Sequence, residues 1–201
     1  MRRMLLASLA VLALVGVTLG AVRWLTPAPD EAQAPTQVAI GGPFTLVDQN
    51  GREVSDEQFR GRLMLVYFGY TYCPDMCPLG LTTIASALDA LPAEERDQVV
   101  PVFITVDPER DTVAVMKDYV GQFSPQLVGL TGSQAQIDAA VKAYRVYASR
   151  SSATGADGRY LVDHSTFTYL MDRDGRYLAH FGHATTPEEM AARIEEAIPA
   201  G

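Results

Sequence analysis

The sequence predicts an α/β domain built around a central mixed sheet, and three patterns indicate this fold class. Two continuous apolar runs, at residues 63–69 and 99–106, are typical of strands buried on both faces. Stretches with the apolar spacing of helices follow each run. Turn signals between short apolar stretches indicate a hairpin towards each end of the domain. Strands that alternate with helices form a layered domain of this class.

The first predicted elements are a hairpin, a buried strand and a helix. Residues 44–47 are followed by Asp48-Gln49-Asn50-Gly51, which is a strong hairpin turn signal. Residues 63–69 form the first buried strand. Residues 79–91 then predict a helix. Its apolar residues at helical spacing are Leu81, Ile84, Ala85 and Leu88.

The middle of the chain predicts a second buried strand, two helices and a short strand. Residues 99–106 form the buried strand, which ends at Asp107-Pro108. Residues 112–123 and 133–147 predict helices, and Ser133 is suited to cap the second of them. Residues 127–130 predict the short strand between the two helices.

The last predicted elements are a second hairpin and a closing helix. Residues 166–171 and 176–181 flank a turn signal at residues 172–175. Thr186, followed by a proline and two glutamates, predicts the start of an amphipathic helix. This order of elements resembles a thioredoxin-like fold with an N-terminal hairpin added.

The charge of the chain excludes one class of function. The 201 residues contain 24 acidic residues against 16 Lys and Arg, a formal net charge of −8. Binding to nucleic-acid phosphates requires clustered Lys and Arg. We therefore expect no nucleic-acid partner.

The N-terminus predicts a membrane anchor. Residues 4–22 carry no charge and follow two arginines, and at about 1.5 Å per residue they can span a hydrocarbon core of about 30 Å. We expect residues 1–25 to form a single transmembrane helix whose N-terminus is cytoplasmic. A cleaved signal peptide is the alternative, although Arg23-Trp24 follows the apolar stretch instead of a small-residue cleavage site.

Beyond the anchor, the proline-rich residues 26–39 predict a flexible linker, and residues 40–201 predict the globular domain. Both interpretations of the N-terminus place this domain outside the cytoplasm. We expect a single-pass protein of the bacterial inner membrane whose domain faces the periplasm.

The two cysteines of the chain, Cys73 and Cys77, lie directly after the first predicted buried strand. This edge of an α/β sheet is where sites are commonly built. Three interpretations are open. A structural disulfide would close a very short loop and add little stability. A redox dithiol would depart from the usual C-x-x-C spacing. A metal site would hold a soft ion such as Cu(I) or Zn²⁺ between two thiolates and would need a third ligand.

The histidines are candidates for that third ligand. His164 lies just before a predicted strand, next to Asp163, which could orient the neighbouring loop. A structural role with a hydrogen-bonded ring is the alternative for His164. His180 and His183 are expected at the surface, with a second, weak metal site as the alternative.

Together these motifs resemble a known family. The pattern Y-C-P-D-x-C-P at residues 72–78, combined with V-D-H-S at residues 162–165, is similar to the Sco/SenC family of copper proteins. Residues 68–71 (F-G-Y-T) and 106–111 (V-D-P-E-R-D) also match the pattern of that family. The resemblance extends over about residues 40–198 and includes the membrane anchor.

The resemblance implies a thioredoxin-like fold and one copper ion, as Cu(I) or Cu(II), bound by Cys73, Cys77 and His164. It implies a membrane-anchored copper chaperone, and not an enzyme, that delivers copper to the binuclear copper centre of cytochrome c oxidase subunit II. The partners it implies are subunit II, other copper chaperones and, through the N-terminal helix, membrane lipid. The alternative is a thiol–disulfide reductase that acts on the copper-ligand cysteines of the oxidase, with Cys73 and Cys77 as its redox pair.

Side chains beside these residues have more than one interpretation. Asp75 is expected to start a helix, and a partner contact is the alternative. Met76 is expected to make an apolar contact, and a thioether ligand is the alternative. Residues 107–111 are expected to form a helix-start turn, with a contact to the oxidase as the alternative. The tyrosines expected to pack around the site are Tyr67, Tyr70 and Tyr72.

Overall fold

The computed structural model describes residues 39–198, and their strands form a seven-stranded mixed sheet and a separate two-stranded sheet. The strands are β1 (Thr45–Asp48), β2 (Glu53–Ser55), β3 (Leu63–Gly69), β4 (Val99–Thr105), β5 (Val128–Thr131), β6 (Ala148–Thr154), β7 (Tyr160–His164), β8 (Thr168–Met171) and β9 (Tyr177–Phe181). The helices are α1 (Met76–Ala90), α2 (Ala93–Arg96), α3 (Val113–Val120), α4 (Gln134–Ala143) and α5 (Pro187–Ala197), and a 3₁₀ helix spans Asp56–Phe59.

The predicted anchor at residues 1–25 and the predicted linker up to residue 38 lie outside the described residues. Within residues 39–198, none of the helices combines the length and the hydropathy that a membrane crossing requires.

The large sheet has the order β2-β1-β5-β4-β3-β8-β9. Its two central strands pair in parallel from Leu63↔Val99 to Gly69↔Thr105, and β5 continues the parallel direction beside β4. The strands towards both edges pair antiparallel. Every residue of β3 and β4 is buried, as the two continuous apolar runs predict.

Both predicted hairpins are present in the structure. The first, β1–β2, extends the large sheet at the edge beyond β5, which confirms the added N-terminal hairpin. In its turn the Asp48 carboxylate accepts the backbone N–H groups of Asn50 and Arg52, at 2.8 and 2.9 Å, and Gly51 adopts a φ of +79° that few other residues tolerate. The second hairpin is β8–β9.

Three helix boundaries differ from the prediction by three residues or more, and one of them is the end of α3 at Val120, where the prediction extended to residue 123. Helix α1 begins at Met76, three residues before the predicted start, because Pro78 lies in the first turn, where its missing N–H group is not needed. Helix α4 ends at Ala143 and does not continue to residue 147, because Arg145 adopts a left-handed conformation with a φ of 54°. The buried Tyr144 and Val146 beyond that end extend the apolar pattern without extending the helix.

The two-stranded sheet β6–β7 was not predicted from the sequence. It pairs antiparallel from Ala148↔His164 to Thr154↔Tyr160, and it has no strand in common with the large sheet. No residue of either strand is fully buried, so neither shows an apolar alternation. We call this element the β6–β7 hairpin.

Candidate metal centre

The two cysteines lie at the carboxyl end of the central strands, in the connection from β3 to α1. Cys73 precedes the helix, and Cys77 is its second residue. The connection is held by the buried Asp111, whose carboxylate accepts the N–H and the hydroxyl of Thr71 at 3.0 and 2.6 Å. Gly69, at the end of β3, leaves room for Cys77, because a Cβ at this position would lie 2.7 Å from the Cys77 sulfur. The cysteines are thus fixed by a tight, hydrogen-bonded backbone.

The third predicted ligand, His164, is the last residue of the β6–β7 hairpin and lies against the cysteines. Its Nε2 is 3.4 Å from the Cys77 Sγ. The Cys77 N–H donates to the Cys73 Sγ at 3.3 Å. One ligand atom from each of the three residues lies within 4.8 Å of the other two, and neither cysteine is in a disulfide. The structure therefore brings together three side chains that are distant in the sequence.

The orientation of His164 leaves the ring nitrogen that faces the cysteines without a proton. Its Nδ1 lies 2.8 Å from the backbone carbonyl of Ser165, and because a carbonyl can only accept, Nδ1 carries the proton. The lone pair is then on Nε2, the nitrogen beside Cys77. The Tyr70 ring and the imidazole also pack edge to face, with centroids 5.7 Å apart. Ser165, and not the exposed Asp163, supplies the hydrogen bond that orients the ring.

The two thiols differ in burial and in pKa. A hydrogen bond from the Cys77 thiol lowers the pKa of Cys73 to about 4, and the hydrogen bond from the Cys77 backbone N–H adds to this effect against the cost of burial. The same contact with Cys73, together with complete burial, raises the pKa of the Cys77 thiol. The site therefore holds one thiolate and one thiol.

The site opens on one side into a cavity of about 300 Å³. Cys73 and His164 line this cavity, whereas Cys77 lies beneath them and does not. Asp75, Met76 and Asp163 also line it. A bound ion would thus be reached from solvent on the side of Cys73 and His164.

The donor set suits a soft ion of low coordination number. Two sulfur ligands and one imidazole favour Cu(I) or Zn²⁺, but a structural zinc site requires four protein ligands. Within residues 39–198, the cluster contains no fourth His, Cys, Asp or Glu. A site with three ligands and an open side fits Cu(I) and exchange with a partner.

The segment between β4 and α3 contributes more than the predicted helix-start turn. Asp107 and Asp111 are buried, so their carboxylates are not free to contact a partner protein. Asp107 binds Arg110 and Tyr160, and Asp111 binds Thr71. These roles are not predicted from the sequence. One sequence pattern could have indicated them: two acidic residues and an arginine directly follow a buried strand, at the edge of the sheet that carries the cysteines.

The other two histidines lie away from the centre. The Nδ1 of His180 is 2.6 Å from the Tyr177 hydroxyl, and the edge of its ring packs against Phe167, with centroids 5.0 Å apart. In the part of the chain that the structure describes, no cluster of three metal-ligating groups includes His180 or His183. The geometry therefore fits the interpretation that His180 and His183 are surface residues.

Comparisons with known proteins place these observations in context. The sequence model of the family described as SCO1/SenC matches residues 32–199. The chain is 43% identical over 197 residues to Protein SenC of Rhodobacter capsulatus, and this match covers 94% of this chain and 88% of that protein.

Two solved structures resemble this one over most of the domain. The structure of Bradyrhizobium japonicum ScoI with copper bound has a TM-score of 0.72 and 48% identity, and the match covers 80% of this chain and all of that one. BsSco, described as a member of the Sco family of cytochrome c oxidase assembly proteins with a disulfide switch, has a TM-score of 0.62 and 26% identity. That match covers 80% of this chain and 94% of BsSco.

Proposed function

The chain belongs to the SCO1/SenC family, and from this premise we propose that it is a chaperone that binds one copper ion and delivers it to the binuclear copper centre of cytochrome c oxidase subunit II. The ligands are Cys73, Cys77 and His164. The observation that carries the proposal is the convergence of their donor atoms within 4.8 Å. It is supported by the copper-bound ScoI structure and by the description of BsSco as an oxidase assembly protein.

The geometry accounts for both binding and release. Cys73 presents a thiolate and His164 presents the Nε2 lone pair at the floor of the cavity, so an incoming cuprous ion meets two ready donors. With three protein ligands, the ion keeps a free position on its open side. A donor of the receiving protein can occupy that position before the protein ligands leave, so the ion passes between sites without becoming free in solution.

In this proposal the chain acts at the bacterial inner membrane, with its domain in the periplasm and its apolar residues 4–22 in the lipid. Copper handling in an oxidising compartment requires that Cys73 and Cys77 be kept reduced. The protein is then a carrier, and catalysis is not its main activity.

The experiment that tests this proposal is a copper titration of the reduced full-length chain in detergent, read by X-ray absorption. Wild type should bind one copper ion with two sulfur neighbours and one nitrogen neighbour. His164→Ala should lose the nitrogen neighbour and weaken binding by at least about a hundredfold, since even loss of a residue that only supports a ligand costs 10–100-fold. His180→Ala, which removes a histidine outside the centre, is the matched control and should bind as wild type does. Unchanged affinity in His164→Ala would contradict the proposal.

The arrangement of the thiols also favours a second function, that of a thiol–disulfide reductase. The Cys73 thiolate lines the cavity while Cys77 lies beneath it, the positions of an attacking and a resolving thiol. Attack of Cys73 on a substrate disulfide forms a mixed disulfide and releases one substrate thiolate. Attack of Cys77 on Cys73 then releases the second, so the substrate gains two electrons and a Cys73–Cys77 disulfide remains. The two substrate thiolates take up one proton from the Cys77 thiol and one from water.

The two functions differ in their need for the imidazole. Cells that carry His164→Ala in place of wild type should assemble little oxidase if copper delivery is the function. If reduction is the function, the same cells should assemble normal amounts, while Cys73→Ser cells should not. The amount of assembled oxidase, measured by its spectrum, separates the two outcomes.

A further inference from the structure

The metal centre is assembled from two parts of the fold that share no strand. The cysteines follow β3 in the large sheet, whereas His164 ends the β6–β7 hairpin, which is a separate two-stranded sheet. An isolated two-stranded hairpin is marginally stable in water. Contacts with the body of the domain must therefore hold this hairpin, and with it His164, in place.

Arg110 supplies a partly buried contact of this kind. Its Nε donates to the Asp107 carboxylate, and its Nη1 donates to the backbone carbonyl of Tyr160, in β7, at 2.9 Å. The guanidinium carbon lies 3.8 Å from the ring centroid of Tyr160 and 4.9 Å from that of Tyr72. Arg110 is thus enclosed between the connection that carries the cysteines and the first residue of β7.

The Asp107 carboxylate completes the unit. One of its oxygens accepts from Arg110, and the other accepts from the Tyr160 hydroxyl at 2.8 Å. Its backbone N–H donates to the Thr105 hydroxyl at 2.9 Å, which ties it to the end of β4. Asp107 is only 5% exposed, and hydrogen bonds to a buried charge are stronger than those between neutral groups. We call Asp107, Arg110 and Tyr160 the brace.

The other polar contacts of the hairpin are weaker candidates. The ion pair between Arg150 and Glu109 has both side chains more than half exposed, and such pairs contribute little. Tyr72 contacts Asp157 near the hairpin turn, where both groups are solvent-accessible. The brace is more buried than either of these two contacts, since the side chains of Arg110 and Asp107 are 18% and 5% exposed.

We propose that the brace is a positioning device, which holds the β6–β7 hairpin against the cysteine connection and so keeps the His164 imidazole at bonding distance from a shared ion. This inference rests on the proposed copper site. None of its three residues touches the ligand atoms, so they act through the position of the hairpin. A hairpin released from the brace loses its own hydrogen bonds as well, since it is not stable alone.

The first test measures hairpin opening in the copper-free, reduced full-length chain by amide hydrogen exchange. Tyr160→Phe removes one hydroxyl and keeps the ring on which Arg110 stacks. We expect exchange in β6 and β7 to accelerate about tenfold, the effect of losing one hydrogen bond to a charged group, while β3 and β4 exchange as in wild type. Tyr177→Phe is the matched control, because it removes the hydroxyl that contacts His180 on the other hairpin. Unchanged exchange in β6 and β7 would overturn the proposal.

The second test asks whether the brace acts through His164. The variant Arg110→Lys/Tyr160→Phe keeps the positive charge but removes the bonds to the Tyr160 carbonyl and hydroxyl. It should weaken Cu(I) binding severalfold, because the binding-competent fraction falls. In a His164→Ala background, the same two substitutions should change the affinity less than twofold. An equal loss in both backgrounds would overturn the positioning role.

The two tests separate this inference from the function on which it rests. A wild-type chain that binds no copper would overturn the copper-chaperone proposal, and the role of the brace in copper binding with it. A wild-type chain that binds one copper ion, together with unchanged hairpin exchange in Tyr160→Phe, would overturn the brace alone.

Discussion

Cys73 and Cys77 are four residues apart, yet the structure gives them opposite chemical states. Cys73 faces the cavity and accepts hydrogen bonds, whereas Cys77 is fully buried behind it and donates one. The contact between them lowers one thiol pKa and raises the other. The difference arises from position in the fold, since the two residues are chemically identical.

This asymmetry predicts the pH dependence of thiol modification. In the reduced, copper-free chain, Cys73 should react with iodoacetamide at a rate that follows its thiolate fraction, rising through a midpoint near pH 4 and levelling off above it. Cys77 should remain unmodified over the same range. Timed labelling with peptide mass spectrometry measures both rates.

The control for this prediction is Cys77→Ala, which removes the hydrogen bond that contributes most to the low pKa of Cys73. The midpoint for Cys73 should then move upward, towards the ordinary thiol value near 8.5. Equal labelling of both cysteines in wild type, with one midpoint near that ordinary value, would show the asymmetry to be absent.

At the scale of elements, the junction of β3 with α1 sets the position of the buried thiol. Gly69 ends the strand, and the Cys77 sulfur occupies the space in which a side chain would begin. The aromatic ring of Phe103, on the adjacent β4, closes the same space from the other side. The strand and helix can approach this closely only because residue 69 has no Cβ.

We therefore expect Gly69→Ala to be destabilising. Its Cβ would lie 2.7 Å from the Cys77 sulfur and 2.9 Å from the Phe103 ring, and overpacking of this kind lowers the free energy of unfolding by about 1–3 kcal/mol. Urea unfolding measures the change. Gly182→Ala, where no atom lies within 4 Å of the added Cβ, is the matched control and should change the free energy little. Equal stability of the two variants would refute the steric argument.

The elements that could be predicted from the sequence are those with a strong local signal. The apolar runs of β3 and β4, the turn at Asp48 and the capping box at Thr186 all act within a few residues. The β6–β7 hairpin has no such signal, because β6 is mostly exposed and rich in Ser, and no residue of β7 is fully buried. It is held by side chains such as Arg110, which lies 50 residues before its partner Tyr160.

At the scale of the whole molecule, the hydrophobic core of residues 39–198 supports the site. The buried side chains form a single cluster that includes both cysteines and the central strands. Leu65, in the middle of β3, is completely buried between Pro101 of β4 and Leu170 of β8. A cavity at this position should lower the free energy of unfolding of the whole domain, because no part of the large sheet folds around a core of its own.

Leu65→Ala should lower the free energy of unfolding by about 2–5 kcal/mol, the usual range for a buried leucine replaced by alanine. Leu178→Ala, on the edge strand β9 and 40% exposed, is the matched control and should cost much less. Denaturant unfolding of the reduced chain measures both. Similar losses in the two variants would argue against a core centred on β3.

The ligands of the metal centre could be predicted from the sequence, but the residues that hold those ligands in position could not. Cys73, Cys77 and His164 stand in short motifs, and the structure brings them together. Ser165, which fixes the imidazole, acts through its backbone carbonyl, so its residue type carries no signal. The buried Asp111 looks like an ordinary helix-start acid in the sequence, and only the fold shows that it holds Thr71.

The pairing of one thiolate with one thiol has a consequence for loading. Where the imidazole is neutral, the three ligand side chains together carry a single negative charge, and a proton sits on Cys77. A cuprous ion that binds both sulfurs displaces that proton, so one monovalent cation replaces another and the total charge of the ligand side chains and the ion stays the same. The free-energy cost of burying this charge therefore already belongs to the folding of the copper-free domain. The copper-free and copper-loaded forms present nearly the same electrostatic field to an approaching partner protein.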